Sequence, residues 1–374
     1  MRLTRAGLRA HLLGELLPLW ARHGLDRERG GFWNRLRPDR SPVPDGFKRL
    51  LVHTRQLYAF SRGVELGAGG WAAAAAGAAL EFLTSHFWDA RHGGWFATTD
   101  LEGRPLERNK ELYGQAFAIF ALAEHHRVAG NAAALRLSRA TWALVREHLR
   151  DSKSGGFLEQ AAEDWRPLEG PRRQNPHMHL FEALLALHAV APNEGALEEA
   201  GALAQLAGAR FSDASGALGE LFTADWRPAP GAAGEIVEPG HGFEWFALLQ
   251  RFAALGGGDE ALALARRLFE FAERHGVDGD GGVFDQLDRA GRTREPGKRL
   301  WPQTERIKAL ALQGDLARLD AALAHCGARY VDAGGGWHEQ LARDGRVVSE
   351  AQNATSVYHV VAALGEALRL EGSG

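Results

Sequence analysis

Apolar residues fall at helical spacing along most of the chain, and short Gly-rich turns interrupt them at a nearly constant interval. Leu8, Leu12, Leu16 and Leu19 follow i/i+4 spacing with small slips, as do Tyr113, Phe117, Phe120 and Leu122. Leu180, Leu184 and Leu187 repeat the pattern, and so do Leu316, Leu319 and Leu323. Between such stretches a turn ending in a large apolar residue recurs. It reads Gly30-Gly31-Phe32, Gly93-Gly94-Trp95, Gly155-Gly156-Phe157, Gly216-Ala217-Leu218, Gly281-Gly282-Val283 and Gly335-Gly336-Trp337. The first glycines are 63, 62, 61, 65 and 54 residues apart. An aspartate precedes each turn by three or four residues: Asp26, Asp89, Asp151, Asp213, Asp278 and Asp332. A second turn follows each, such as Gly103-Arg104-Pro105, Trp165-Arg166-Pro167 or Gly345-Arg346. The stretches between paired turns, WFATTD and VFDQLD among them, read as small β-hairpins.

The spacing leaves room for two helices per repeat, hence about twelve. Segments such as WAAAAAGAALEFL suit closely packed helices. Six helical hairpins can stack as an open solenoid or close as a toroid. An open solenoid needs polar capping repeats, whereas the terminal repeats here carry the same turns as the internal ones. The expectation is therefore an all-α (α/α)6 barrel, with short β-hairpins in the loops at one end and a cleft between them. No Pro/Gly/Ser-rich linker divides the 374 residues, so residues 1–374 are expected to form a single catalytic domain.

Charge and cysteine content narrow the setting. With 44 basic and 47 acidic residues, nothing favours a nucleic acid or an anionic membrane as partner. Cys326 is the only cysteine, which fits a reducing compartment, so a cytoplasmic location is expected. Arg9, His11, Glu15 and Arg22 break the first apolar stretch, which reads as an amphipathic helix and not as a signal peptide. No run of about 18 apolar residues is present to span a membrane. A monomer or homodimer is expected.

Polar residues concentrate where the second helix of each repeat begins: around Arg55, in the segment from Arg173 to Glu182, from Glu238 to Trp245, from Lys298 to Glu305, and from Asn353 to His359. In a closed barrel these segments converge. His241 and Glu244 are i, i+3 and share a helix face, so that carboxylate can hold the imidazole in one tautomer. His177 and His179 point about 200° apart on a helix, so only one can face a given cleft. Such a pair could bind metal if extended, but no CxxC, HExxH or carboxylate cluster accompanies it. His359 alone would more often be a core histidine, Arg55 a surface cation, and Tyr113, Trp245 and Trp301 core aromatics. Their recurrence at matching places in different repeats argues for a shared site.

At these segments the chain resembles the N-acylglucosamine 2-epimerase superfamily, which includes cellobiose 2-epimerases and bacterial mannose isomerases. The resemblance rests on HTRQLYAFSRG, KELYGQAFAIFALAEH, NPHMHLFEALLAL, EPGHGFEWFALL, KRLWPQTERIKAL and ATSVYHVVAAL, in that order. It implies an (α/α)6 barrel and a catalytic acid/base pair, His241 and His359. It implies that Arg55 binds the O1/O2 region of a sugar, with Tyr113, His179, Glu244, Trp245, Trp301 and Glu305 in the pocket. The implied chemistry is proton removal from C2 of an open-chain aldose, giving a cis-enediolate. A neutral imidazole suits the base and Arg55 the oxyanion. No metal or redox cofactor is needed on this scheme. Hydride-shift isomerases need a divalent metal and a carboxylate-rich site, which the sequence does not offer. NPHMHLFEA resembles the mannose-isomerase branch, which implies mannose–fructose interconversion, with lyxose–xylulose as a further pair. The alternative is a 2-epimerase of the glucose/mannose, cellobiose or N-acylglucosamine type. A second class of reading is an inverting (α/α)6 glycoside hydrolase using Glu244 and Glu305, with carboxylates about 6.5–9.5 Å apart. A third is a non-catalytic helical scaffold.

Overall fold

The computed structural model describes residues 3–349 and 351–371. Twelve helical runs alternate between an outer and an inner ring among the described residues. The inner ring consists of Leu50–Glu65, Leu112–Ala129, Gln174–Val190, Pro239–Phe252, Leu300–Gln313 and Ser356–Ala367, called here the first to sixth inner helices. The outer ring consists of 8–24, 70–87, Ala132–His148, 196–211, Gly258–Gly276 and Leu316–Arg329. Each inner helix packs against the next, and the sixth packs against the first. The toroid is closed, an (α/α)6 barrel as the unbroken repeat implied. No described helix is long and apolar enough to cross a membrane.

The two rings differ in sequence because they differ in surroundings. The second inner helix is buried at nearly every position from Leu112 to Ala123 and carries apolar residues on all sides. The outer helix Gly258–Gly276 buries only Leu264, Ala265, Leu268, Phe269, Ala272 and a few neighbours. Ala72, Ala75, Ala76 and Ala79 are the buried face of the alanine-rich outer helix. Their small side chains let it lie close against the first inner helix.

A second closure runs through the loops. The strand leading into each inner helix pairs antiparallel with the following repeat's hairpin. Phe47–Arg49 pairs with Thr98–Asp100, Lys110–Glu111 with Gln160–Ala161, and Arg172–Arg173 with Leu221–Phe222. Lys298–Arg299 pairs with Gln340–Leu341, and Gln352–Asn353 returns to Arg35–Leu36 of the first repeat. The fourth repeat makes the link by one bridge, Val237 to Leu287. The small hairpins expected inside the loops are also present, as at Gln160–Ala161 with Pro167–Leu168.

The recurring aspartate is the hub of each turn. Asp89 Oδ1 accepts the N–H groups of Arg91 and His92, and its Oδ2 accepts from the Lys110 ammonium at 2.8 Å. Asp26 does the same with Glu28, Arg29 and Lys48, and Asp151 with Lys153, Ser154 and Arg172. The cation comes from the strand that enters the inner helix, so each ion pair ties a turn to the start of that helix. Lys110 and Asp89 are both buried. Replacing one member of such a pair strands a charge, whereas a well-packed apolar pair does not. Lys110→Met should therefore lower the unfolding free energy by about 3–5 kcal/mol, measured by chemical denaturation, and Lys110→Met combined with Asp89→Leu should recover much of that loss.

Candidate active site

The inner helices share one register. Arg55, Phe117, His179, Glu244 and Glu305 each stand five residues after the first residue of their helix. His359 stands five residues after Ala354, whose N–H donates to the Asn34 carbonyl at 2.9 Å. That bond matches those of Leu50 to Ala97, Leu112 to Glu159 and Leu300 to Glu339 at the other helix starts. The six side chains form a ring of successive contacts. The Arg55 guanidinium lies 4.4 Å from the Phe117 ring centroid, and Phe117 lies 4.5 Å from the His179 ring. His179 Nε2 is 3.9 Å from Glu244 Oε1, and oxygens of Glu244 and Glu305 approach within 4.8 Å. Glu305 Oε1 accepts from His359 Nδ1 at 2.7 Å, and Arg55 Nη1 closes the ring on the Thr355 carbonyl at 3.1 Å.

Above this ring Tyr113 and Trp301 guard the strand end of the barrel. The Tyr113 hydroxyl accepts from Arg55 Nη2 at 2.9 Å. Trp301 sits between the two histidines that the resemblance implies for acid/base work, 4.7 Å from the His241 ring and 5.7 Å from the His359 ring. Gly240 makes that possible, because a Cβ there would stand 2.5 Å from the Trp301 ring. Two cavities open here. One of about 230 Å³ is lined by Arg55, Trp301, Glu339, Ser356 and His359, and one of about 580 Å³ by Arg49, Tyr113 and Glu111. The Arg55–Tyr113 bond lies between them.

Each of three histidines has Nδ1 tied to a carboxylate: His179 to Glu182 at 3.0 Å, His241 to Glu220 at 2.8 Å, His359 to Glu305 at 2.7 Å. An ionised carboxylate only accepts, so each Nδ1 carries the proton and Nε2 is left for chemistry. Their charge states diverge. Burial opposes charge on His241, but Glu220, with Glu238 and Glu244 behind it, overrides burial and lifts the pKa to about 9. Burial wins at His359, aided by Arg55 and Lys308, and its pKa falls to about 3 despite Glu305. Glu305 itself is held below the usual carboxylate range, burial notwithstanding, by Lys308 and by the His359 hydrogen bond. Burial and the neighbouring Glu305 push Glu244 up, and neither of its oxygens has a hydrogen-bond partner.

The structure corrects three expectations. Glu244 does not hold His241, because Glu220, from the loop before that helix, does so. Trp245 is fully buried against Phe181, one residue past the ring position, and does not line the cleft. Its Nε1 donates to Gln174 Oε1, Gln174 donates to Glu220 Oε2, and Glu220 holds His241, so it supports the site from behind. The cleft is also rich in carboxylates. His179, Glu182 and Glu244, and likewise Glu244, Glu305 and His359, bring ligand-type atoms within 4.8 Å of one another. These groupings are not assigned as a metal centre, because the Lys308 ammonium already lies on Glu305 among them.

Glu182, Glu220, Glu339, Tyr358 and Lys308 were not singled out from the sequence. Aligned repeats carry a signal for two of them. Glu159, Glu220, Asp285 and Glu339 each stand three residues after the turn's second position. In three repeats that carboxylate accepts the N–H just before an inner helix: Arg173, Arg299 and Asn353, each at 2.7 Å. In the fourth it takes His241 instead.

A family model described as N-acylglucosamine 2-epimerase (GlcNAc 2-epimerase) matches residues 30–363. The chain belongs to the N-acylglucosamine 2-epimerase family. It is 37% identical over 377 residues to a "Mannose-6-phosphate isomerase" of Rhizobium meliloti (strain 1021), covering 94% of this chain and 93% of that one. It is 26% identical over 193 residues to a cellobiose 2-epimerase of Bacteroides fragilis, covering 49% of each. The solved cellobiose 2-epimerase of Spirochaeta thermophila DSM 6192 superposes with a TM-score of 0.89 at 28% identity, covering 99% of this chain and 96% of that one. The protein is thus an isomerase or epimerase of this superfamily, with a small sugar as substrate.

The geometry also separates His177 from His179. His177 Nε2 accepts the N–H of Phe157 at 3.0 Å. His53 takes the equivalent N–H of Phe32, and the amide oxygens of Gln115 and Gln303 take those of Trp95 and Val283. His177 is thus a turn anchor. His177→Gln, which copies the second and fifth repeats, should leave sugar turnover at the wild-type level. His177→Ala leaves that N–H unpaired and should cost about 1–3 kcal/mol of stability in a denaturant titration.

Proposed function

We propose that this enzyme interconverts D-mannose and D-fructose, and D-lyxose and D-xylulose as smaller substrates, by proton transfer through a cis-enediolate. One observation carries the chemistry: two histidines flank Trp301, each tied through Nδ1 to a carboxylate, in surroundings that push the pKa of His241 up and that of His359 down. Environments that push two pKa values apart define an acid and a base. The ketose outcome is favoured by the relative at 37% identity, which is named as an isomerase and aligned over nearly the whole chain.

In this scheme His359 Nε2 removes the C2 proton of the open-chain aldose. Negative charge moves onto O1, where Arg55 donates to it. Arg55 suits the task because Phe117 and Tyr358 clamp its guanidinium and its buried Nε has no protein partner. His241 gives its proton to O1 as the C1 carbonyl becomes an enediol oxygen. It recovers a proton from O2 as the C2 carbonyl forms. His359, its Nε2 proton having exchanged with solvent, delivers a proton to C1, and the ketose is complete. Glu244 offers two unpartnered oxygens to sugar hydroxyls. Return of a proton to the opposite face of C2 would give the epimer instead, which is the runner-up reading.

The hydrolase reading loses support from the same geometry. Glu244 and Glu305 are too close for the water of an inverting pair, and Glu305 is occupied by Lys308 and His359. A phosphorylated hexose is a second substrate reading, because the relative at 37% is named for one. Arg173 and Arg299 are committed to Glu159, and to Glu238 and Asp285. Arg49, exposed on the larger cavity, is the rim cation that would meet the phosphate.

Proton NMR of mannose and of mannose 6-phosphate in D2O with the enzyme tests this directly. Fructose labelled at C1 is expected from mannose. Epimer without ketose would overturn the isomerase reading, and conversion of the phosphate ester alone would replace the neutral sugar. His241→Asn and His359→Asn should each lower kcat/KM by about 10²–10⁴. Glu220→Gln removes the charge that lifts His241. Because activity needs protonated His241, the wild-type kcat/KM profile should fall on its alkaline side near pH 9. In Glu220→Gln that fall should move to lower pH, as a pH-rate series would show.

A further inference from the structure

Lys308 lies three residues beyond Glu305, one turn deeper along the fifth inner helix, and is almost wholly buried. A buried ammonium is costly unless paired. Here its nearest partner is Glu305 Oε2, while Glu305 Oε1 receives Nδ1 of His359. One carboxylate therefore bridges a fixed cation and the imidazole. Other charged groups reach this point from the third and fourth inner helices. Glu244 comes from the fourth and Glu182 from the third; both attract the ammonium, while Arg251 opposes it. Glu182 is itself held by His179 and by the Tyr358 hydroxyl, and Arg55 of the first helix lies over the Tyr358 ring.

We propose that Lys308 is a positioning residue for the base: by fixing Glu305 as a carboxylate it keeps the His359 proton on Nδ1 and the Nε2 lone pair turned to the sugar. The proposal rests on the reading of His359 as the base. Its logic is one of acceptor and donor. Three buried carboxylates, Glu182, Glu244 and Glu305, share the charge of one lysine. Without it, the group nearest the vacated position gains a proton. A protonated Glu305 becomes a donor as well as an acceptor. It can then give its proton to Nδ1, and the ring proton shifts to Nε2, where it blocks proton abstraction. Glu244 cannot substitute, since it makes no hydrogen bond to His359 and has no protein partner of its own.

Steady-state kinetics across pH, together with NMR of the His359 ring, tests this on the full chain. Lys308→Met should lower kcat about tenfold or more, the scale seen when an orienting partner is removed, with KM near wild type. The loss should be greatest on the acidic side, because Glu305 then protonates at higher pH. Lys308→Arg should restore most of the activity. In the wild type, the Nδ1–H resonance, assigned by its disappearance in His359→Asn, should persist from about pH 5 to about pH 9. In Lys308→Met it should be lost or move to Nε2. A folded Lys308→Met with the wild-type pH profile and resonance overturns the proposal, and so does a wild-type resonance that titrates away within that range. The wild-type titration needs only His359→Asn, for the assignment, so the test stands even where Lys308→Met does not fold. Absence of sugar conversion by the wild type would strike the functional reading and leave the NMR test of the Lys308–Glu305–His359 relay intact.

Discussion

The hydrogen bond between a Gly-turn N–H and a side chain on the inner helix, made in four of the six repeats, is the constraint from which the site follows. The anchors His53, Gln115, His177 and Gln303 stand three residues after the first residue of their helices. The ring residues stand at five. Two residues rotate a helix by about 200°. Holding the anchor against the turn therefore aims the ring residue at the barrel axis. The second glycine of the turn serves the same contact. Gly31 adopts φ +71°, and a Cβ there would meet His53 Nε2 at 2.5 Å. Polar residues scattered over 304 positions, from Arg55 to His359, become neighbours because the same local bond is made repeatedly.

The fourth repeat departs from this pattern, and the departure is where the proposed acid, His241, stands. Its turn is Gly216-Ala217-Leu218, its anchor position holds Gly242, and its strand offers Val237 where the first, second, third and fifth offer a lysine or arginine. The N–H that matches those of Arg173, Arg299 and Asn353 belongs to Glu238, but the carboxylate of Glu220 turns to His241 instead. A structural position has become an electrostatic one. Local rules that hold around a repeat protein fail where function takes precedence.

This explains how far the sequence could be read. The six turns, the helical periods and the uniform terminal repeats carried the closed barrel, and the family motifs carried the ring residues other than Phe117. The partners of those residues were less visible, because a helical face predicts direction only along its own helix. His241 and Glu244 share the i, i+3 relation, yet the bond to His241 comes from a loop 21 residues earlier. Trp245 sits one residue past a ring position, about 100° away from the axis. It points to the outer layer for that reason, and the repeat alignment could have shown it. Lys308 was hidden for another reason. A lysine on an inner helix reads as solvated until the carboxylates that neutralise it are placed, and two of them lie on other helices, at Glu182 and Glu244.

The ownership of carboxylates separates the chemistries that such a barrel could host. Hydrolysis of a glycoside needs two carboxyl groups with free oxygens and a gap between them. Proton transfer at carbon needs imidazoles whose tautomers are fixed. In this site Glu182, Glu220 and Glu305 each commit an oxygen to the Nδ1 of a histidine. Only Glu244 keeps both oxygens free. One free carboxyl group cannot serve as acid and base at once, but it can grip a hydroxyl while the histidines work. The unequal charge of those histidines follows from how each carboxylate is itself balanced. Glu305 is neutralised by Lys308, so His359 meets burial and the nearby cations with little relief. Glu220 accepts only the neutral Gln174 amide besides His241, so its charge falls on the imidazole. The proposed acid and base are thus the same side chain in two electrostatic settings, and the cation behind the carboxylate distinguishes them.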